Sequence, residues 1–209
     1  MNQCEFFDAA AATWDDLETA ETRGRLAEIV AGLGIAPGAA VLDVGCGTGI
    51  LFPLLRAAMG GQGRLVALDI SREMLRRAQA KGYAAVCVQG DAEQPPLAHV
   101  AFDWIICNAV LPHFADKRAT LTELGCRLAA GGTLVICHGN NRQTINAIHR
   151  DVGGVVAQDK VPDAGHMAQM LRDAGLRPLH ILDGADRYVA LAQRDPENNK
   201  PRRSGAKNA

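Results

Sequence analysis

Three aspartates mark the ends of three successive apolar runs in the first half of the chain. Asp43 sits in Val41-Leu42-Asp43-Val44-Gly45-Cys46-Gly47-Thr48-Gly49, Asp69 closes the run that begins at Arg64, and Asp91 follows Gly90. A glycine-rich turn between a strand and a helix lets a ligand approach the backbone and meet the free amides of the helix start. Asp69 falls 20 residues after Gly49, where one carboxylate can accept from both hydroxyls of a ribose diol. Asp91 adds a third acceptor, placed for an exocyclic amine. The loop spacing narrows the ligand further. A dinucleotide loop reads G-x-G-x-x-G, and its third glycine falls on Ile50 here. The pattern is instead G-x-G-x-G, with an acid two residues ahead of it. A plain tight turn needs no ligand, but it leaves unexplained why three acids stand at three strand ends, the edge where open α/β sheets bind ligands.

The elements that must carry these acids follow from periodicity. Residues 5–18 read as a short helix, and Leu26, Ile29, Val30 and Leu33 make the apolar face of a second, stopped by Gly34. Short apolar runs at 39–44, 64–69, 84–88, 102–107 and 133–137 read as buried strands, with helical patterns between them. Ser71 is placed to cap one helix, with Glu73 in its first turn, and Asp163 to cap the amphipathic helix of Met167, Met170 and Leu171. Leu121, Leu124 and Leu128 form one face of a helix that Gly131-Gly132 would end. Runs at 179–182 and 188–192 are joined by a turn too short for a parallel return, so they pair antiparallel. Such β-α alternation means an α/β fold: an open, mostly parallel sheet with helices on both faces.

In the order and spacing of its motifs the chain resembles the class I S-adenosylmethionine-dependent methyltransferases, and within them the group that includes ubiquinone/menaquinone C-methyltransferases. The carriers are Phe6-Phe7-Asp8 with Trp14-Asp15, the loop from Val41 to Gly49, Ala67-Leu-Asp-Ile-Ser71, Gly90-Asp91-Ala92-Glu93 with Pro95-Pro96, Phe102-Asp-Trp-Ile-Ile-Cys-Asn108, and Leu128-Ala-Ala-Gly-Gly-Thr133. The resemblance spans about residues 5–194 and implies a Rossmann-like seven-stranded sheet in the order 3-2-1-4-5-7-6, the last strand antiparallel. It implies S-adenosylmethionine as cofactor, with S-adenosylhomocysteine as product. Asp43 and the backbone of Gly45, Cys46, Gly47 and Gly49 would hold the methionine moiety. Asp69 would take the ribose, Ile70 would pack on adenine, Asp91 and the Ala92 amide would face adenine nitrogens, and Asn108 would sit near the amino group and sulfonium. Trp14, Phe6 and Phe7 would either close over the cofactor or simply pack.

The reacting centre is less defined. Related methyltransferases often carry a histidine where His113 stands, near the cofactor methyl; a loop histidine that packs and caps is the other reading. His138 ends the fifth strand on the ligand edge and is the second catalytic candidate. Beyond it, Arg142, Asn146 and His149 share one face of a helix whose sequence supplies no acid. That face either lies in solvent or lines an acceptor pocket together with His138. In the second case Arg142 forks onto a carboxylate or phosphate of the acceptor. His113, His138, His149, His166 and Cys137 lack the i, i+4 or C-x-x-C spacing of a compact metal site, so no metal is expected. Cys4 and Cys137 leave open a thiol-assisted acceptor such as a metalloid.

Composition sets the outer limits. With 209 residues, 48% hydrophobic and 22% charged, the chain is expected to be one domain over 1–194, a helical cap at 1–36 on a core at 37–194. The tail 195–209 reads as disordered. A net charge of −1 gives no reason to expect nucleic acid or an anionic membrane as partner. No apolar run approaches the roughly 18 residues of a spanning helix, and the first residues lack a signal-peptide pattern. Six cysteines without a C-x-x-C pair read as reduced thiols in the cytoplasm. The expected function is methyl transfer to a small-molecule acceptor, by a monomer or homodimer. A non-catalytic cofactor-binding module is the alternative, and a nicotinamide oxidoreductase ranks third because the third loop glycine is missing.

Overall fold

The computed structural model describes residues 1–97 and 101–194; the expected tail at 195–209 lies outside them. Strands β1 (Ala40–Val44), β2 (Arg64–Asp69), β3 (Val86–Gln89), β4 (Phe102–Asn108) and β5 (Leu128–His138) run parallel, and β6 (Leu176–Asp183) and β7 (Tyr188–Arg194) close the sheet. The order is β3-β2-β1-β4-β5-β7-β6, with β7 antiparallel to both its neighbours. This is the order the motifs imply.

Side chains alternate across each strand, so the central strands feed two cores. On one face Val41, Leu65, Ala67, Ile106 and Val135 meet helices α2 (Ala20–Leu33), α3 (Phe52–Met59) and α4 (Arg72–Ala80) through Leu26, Phe52, Leu55 and Leu75. On the other, Leu42, Val44, Leu68, Ile105 and Ile136 meet α5 (Lys117–Gly125), α6 (Arg142–Val152) and α7 (Ala164–Asp173) through Leu121, Ile145 and Met167. Burying each such side chain stabilises the fold by about 1.5–3 kcal/mol. Local signals set the helix ends. Ser71 accepts from the Met74 amide, Asp163 from His166, and Gly34 takes the left-handed conformation that stops α2.

Two expectations need correction. Residues 5–18 are not one helix: α1 (Gln3–Ala10) gives way to a 3-10 stretch, Ala11–Leu17. Leu128 does not belong to the helix before it. It opens β5 opposite Phe102, and the register shifts between Phe102 and Trp104. Gly131-Gly132 therefore lies inside the strand. A Cβ on Gly132 would come 2.7 Å from the Phe102 carbonyl oxygen, so glycine serves a close strand approach rather than a helix stop.

Candidate functional site

Parallel strands place their carboxyl ends on one edge, which brings three acid-bearing turns together. Between them lies a cavity of about 240 Å³. Its base is the turn after β1. The Gly45 and Cys46 amides both donate to the Leu68 carbonyl, at 2.7 and 3.1 Å, and so stitch the turn to β2. Gly45 has φ +64°, and a Cβ there would lie 2.3 Å from Val110; no other residue meets both conditions. Across the cavity Ala109 also holds a positive φ, 55°, a conformation that costs a non-glycine residue about 1 kcal/mol or more and that clusters at functional sites.

Asp69 organises the turn. One carboxylate oxygen accepts from the Gly47 amide and the other from the Ser71 amide, each at 2.8 Å. Burial raises its pKa, and those two amides oppose the shift. Asp43 lies beneath the loop, 1% exposed, and neither carboxylate oxygen has a partner among the described residues. Burial, with the Asp69 charge adding to it, pushes its carboxyl up to about 8. An orphaned buried acid calls for a donor or cation that is not part of the chain. Glu18, Asp69, Asp91 and Glu93 line the cavity, and no lysine or arginine is among its described lining residues. This lining suits a ligand with cationic centres, as a sulfonium bearing an amino group has.

The N-terminal segment forms a roof. Asp8 accepts from the Ser71 hydroxyl at 2.5 Å and the Glu73 amide at 3.1 Å, which docks α1 on the start of α4; the Ser71 bond holds its carboxyl below the usual range. Asp15 accepts from the Thr48 hydroxyl and pairs with Lys81 at 2.8 Å. Gln3 donates to the His113 carbonyl at 2.9 Å. Phe7 packs edge-on against both Trp14 and His113, and Phe7 and Trp14 line the cavity. Glu93, whose carboxylate accepts from the Ala115 and Asp116 amides, ties the turn after β3 to the start of α5. Asp8, Asp15 and Glu93 stand in the sequence motifs, but only their tertiary contacts make them clamps on the site.

Of the expected residues, Gly45, Cys46, Gly47, Asp69, Ile70, Asp91, Ala92, Asn108 and His113 line this one cavity. Asp43 supports it from below. Gly49 turns away toward a groove behind the loop, with φ +79° and the Phe52 ring 2.8 Å from where a Cβ would be. The expected acceptor cluster does not assemble. His138 is 2% exposed beside Tyr188, its Nε2 has no partner among the described residues, and burial pushes its imidazole down to about 3. Arg142 pairs with Asp183 at 2.7 Å. Asn146 clamps the backbone of Val161, accepting at 2.8 Å and donating at 3.2 Å. His149 bonds the Asp159 carbonyl at 2.9 Å and stands behind His113, ring centroids 5.0 Å apart. None of these four lines the cavity. The acid that pairs with Arg142 comes from β6, and the polar face holds the fold together. Among the described residues no group of three or more metal-ligating side chains forms, and no helix is long and apolar enough to cross a membrane.

Comparison with known proteins agrees with this geometry. The family model described as "Methyltransferase domain" matches residues 42–136. A malonyl-[acyl-carrier protein] O-methyltransferase of Herminiimonas arsenicoxydans is 34% identical over 193 residues, covering 88% of this chain and 68% of that one. The ubiquinone/menaquinone biosynthesis C-methyltransferase of Methylococcus capsulatus is 34% identical over 112 residues, 49% of this chain; the chain spans only 44% of that relative's length. An S-adenosylmethionine-dependent methyltransferase from Aquifex aeolicus shares the fold, with a TM-score of 0.70 at 23% identity over 87% of this chain and 97% of its own.

Proposed function

Since the chain belongs to the class I S-adenosylmethionine-dependent methyltransferases, with that molecule as its cofactor, we propose that it methylates a small-molecule acceptor in the cavity under the N-terminal roof. The observation that carries this reading is the meeting of Asp69, Asp91 and the Gly45–Gly47 turn around one cavity whose described lining has no cation, above an orphaned Asp43. The cofactor supplies an electrophilic methyl on a sulfonium. The chain's own residues bind, orient and shield. Asp69 keeps lone pairs for the ribose hydroxyls while its amide bonds fix its direction. Asp91 and the Ala92 amide would face adenine, Ile70 would pack on its ring, and Asn108 and the backbone of the Gly45–Gly47 turn would hold the methionine end, with Asp43 beneath them. Phe7 and Trp14 keep water out of the cavity, where alignment alone supplies roughly 7–11 kcal/mol of the barrier.

The acceptor is small on this reading, because Gln3, Phe7 and Trp14 of the N-terminal roof line the same cavity that cofactor and acceptor must share. Six free cysteines support a reducing compartment such as the cytoplasm, and a monomer or homodimer completes the proposal. Calorimetric titration with S-adenosylmethionine, S-adenosylhomocysteine and NAD tests it, repeated with Asp69→Ala. The first two should bind and lose affinity by tenfold or more in the variant, as expected for a lost charge-assisted hydrogen bond of about 1.5–3 kcal/mol. Binding of NAD alone, or of none of the three, overturns the assignment.

A further inference from the structure

We propose that His113 and Asp159 form a general-base dyad and that the acceptor is a neutral, ionisable hydroxyl of phenol or enol type; this rests on the methyl-transfer reading above. His113 closes a short 3-10 turn, Leu111–His113, after β4. Its Nδ1 lies 2.6 Å from the Asp159 carboxylate, in the segment between α6 and α7. The two side chains are only 11% and 15% exposed. A carboxylate can only accept, so in the neutral imidazole the proton sits on Nδ1 and Nε2 is left as a bare lone pair. Nε2 has no partner among the described residues, while the ring lines the cavity that also holds Asp69 and Asn108. His149, held through the Asp159 carbonyl, backs the ring on one side and Phe7 meets it edge-on at 5.1 Å. These two rings and the Asp159 bond together orient the imidazole.

A base is useful only for an acceptor that must lose a proton. A carboxylate is already the nucleophile, and in this cavity it would face Glu18, Asp69, Asp91 and Glu93 with no lining cation to neutralise it. A neutral hydroxyl on an aromatic or conjugated frame meets the opposite conditions: acid-tolerant surroundings, the Phe7, Trp14 and Phe114 walls, and a waiting lone pair. In the transfer the hydroxyl proton passes to His113 Nε2. An electron pair from the oxygen, or from a carbon conjugated with it, forms the new bond to the methyl. The S–CH₃ bond breaks, its electrons stay on sulfur, and the imidazolium then releases its proton to solvent. Asp159 touches neither reactant and acts as a positioning residue.

Imidazole ¹⁵N–¹H correlation spectra of the full chain with S-adenosylhomocysteine, at pH 8, read the dyad without turnover. The wild type should show His113 with Nδ1 protonated and Nε2 bare. Asp159→Asn, whose amide can donate to Nδ1, should move the proton to Nε2. Tritiated methyl transfer at the same pH then compares 4-methylphenol and acetylacetone, both mainly un-ionised there, with benzoate and aniline. The hydroxyl and enol acceptors should be favoured, with kcat falling about 10²–10⁴-fold in Asp159→Asn. His113→Gln should match that loss, and the double variant should add little to it. A wild-type proton on Nε2, or an unchanged tautomer in Asp159→Asn, overturns the dyad. Preference for benzoate or aniline overturns the acceptor class. Cofactor titration of the same samples separates these failures from a failure of the cofactor site, because the tautomer does not depend on turnover.

Discussion

Replacing Asp43 by asparagine should make the free protein more stable at high pH and weaker in cofactor binding. The carboxyl is fully enclosed, with both oxygens unpartnered, and it titrates near 8 rather than near 4. Between those values the folded chain holds one proton that the unfolded chain has released. The sign follows from linkage. Stability contributed by a group that binds protons more tightly in the folded state declines as pH rises, by up to one proton, or tenfold in the folding constant, per pH unit. A shift of about four units sets a ceiling on the order of 5 kcal/mol, as large as the whole stability of a marginal domain. Water entry and relaxation reduce what is measured. Asparagine carries no charge to desolvate and removes that proton linkage. Urea unfolding at pH 5 and pH 8 is the assay. The wild type should lose more stability than Asp43→Asn over that interval, and the two curves should differ in slope by at least several-fold in folding constant. Bound S-adenosylhomocysteine, whose amino group supplies the missing cation, should offset part of the wild-type decline and bind the variant about tenfold more weakly. Parallel pH profiles for the two proteins, or unchanged affinity, would refute the argument that Asp43 is an uncompensated buried acid awaiting a ligand.

Asp8→Ala removes the acceptor that docks α1 on α4; the cost should be about 1 kcal/mol, with faster hydrogen exchange over residues 3–17 and a raised cofactor Kd. Arg142→Ala leaves Asp183, 16% exposed, without its ion pair. Denaturant titration should show a loss of about 1 kcal/mol, because the pair is partly solvated, and acceptor KM should stay unchanged, opposite to the expectation from the α6 sequence.

The sequence by itself determined the sheet and the cofactor end of the site. Apolar runs at β1, β2, β4 and β5 are short and nearly unbroken because both faces are covered, and that pattern is local. Once the strands are parallel, their carboxyl ends must share an edge. Asp69, Asp91, Asn108 and the Gly45–Gly47 turn therefore become neighbours without any knowledge of side-chain contacts. Asp43 was legible as a motif residue, though not as a buried acid with no partner.

Only the tertiary structure decided what each polar face meets. Helical periodicity correctly placed Arg142, Asn146 and His149 on one side of α6, but it is silent on what packs there. Asp183 comes from β6, 41 residues away, and the Val161 backbone from the following loop. His138 stood at the right edge of the sheet, yet its pairing with Tyr188 of β7 buried it. The His113–Asp159 contact joins positions 46 residues apart across a segment whose path no local signal fixes. Spacing along a chain constrains residues within one element or one strand edge. A hydrogen bond between two elements depends on how they dock, and the packing of both cores settles that at once.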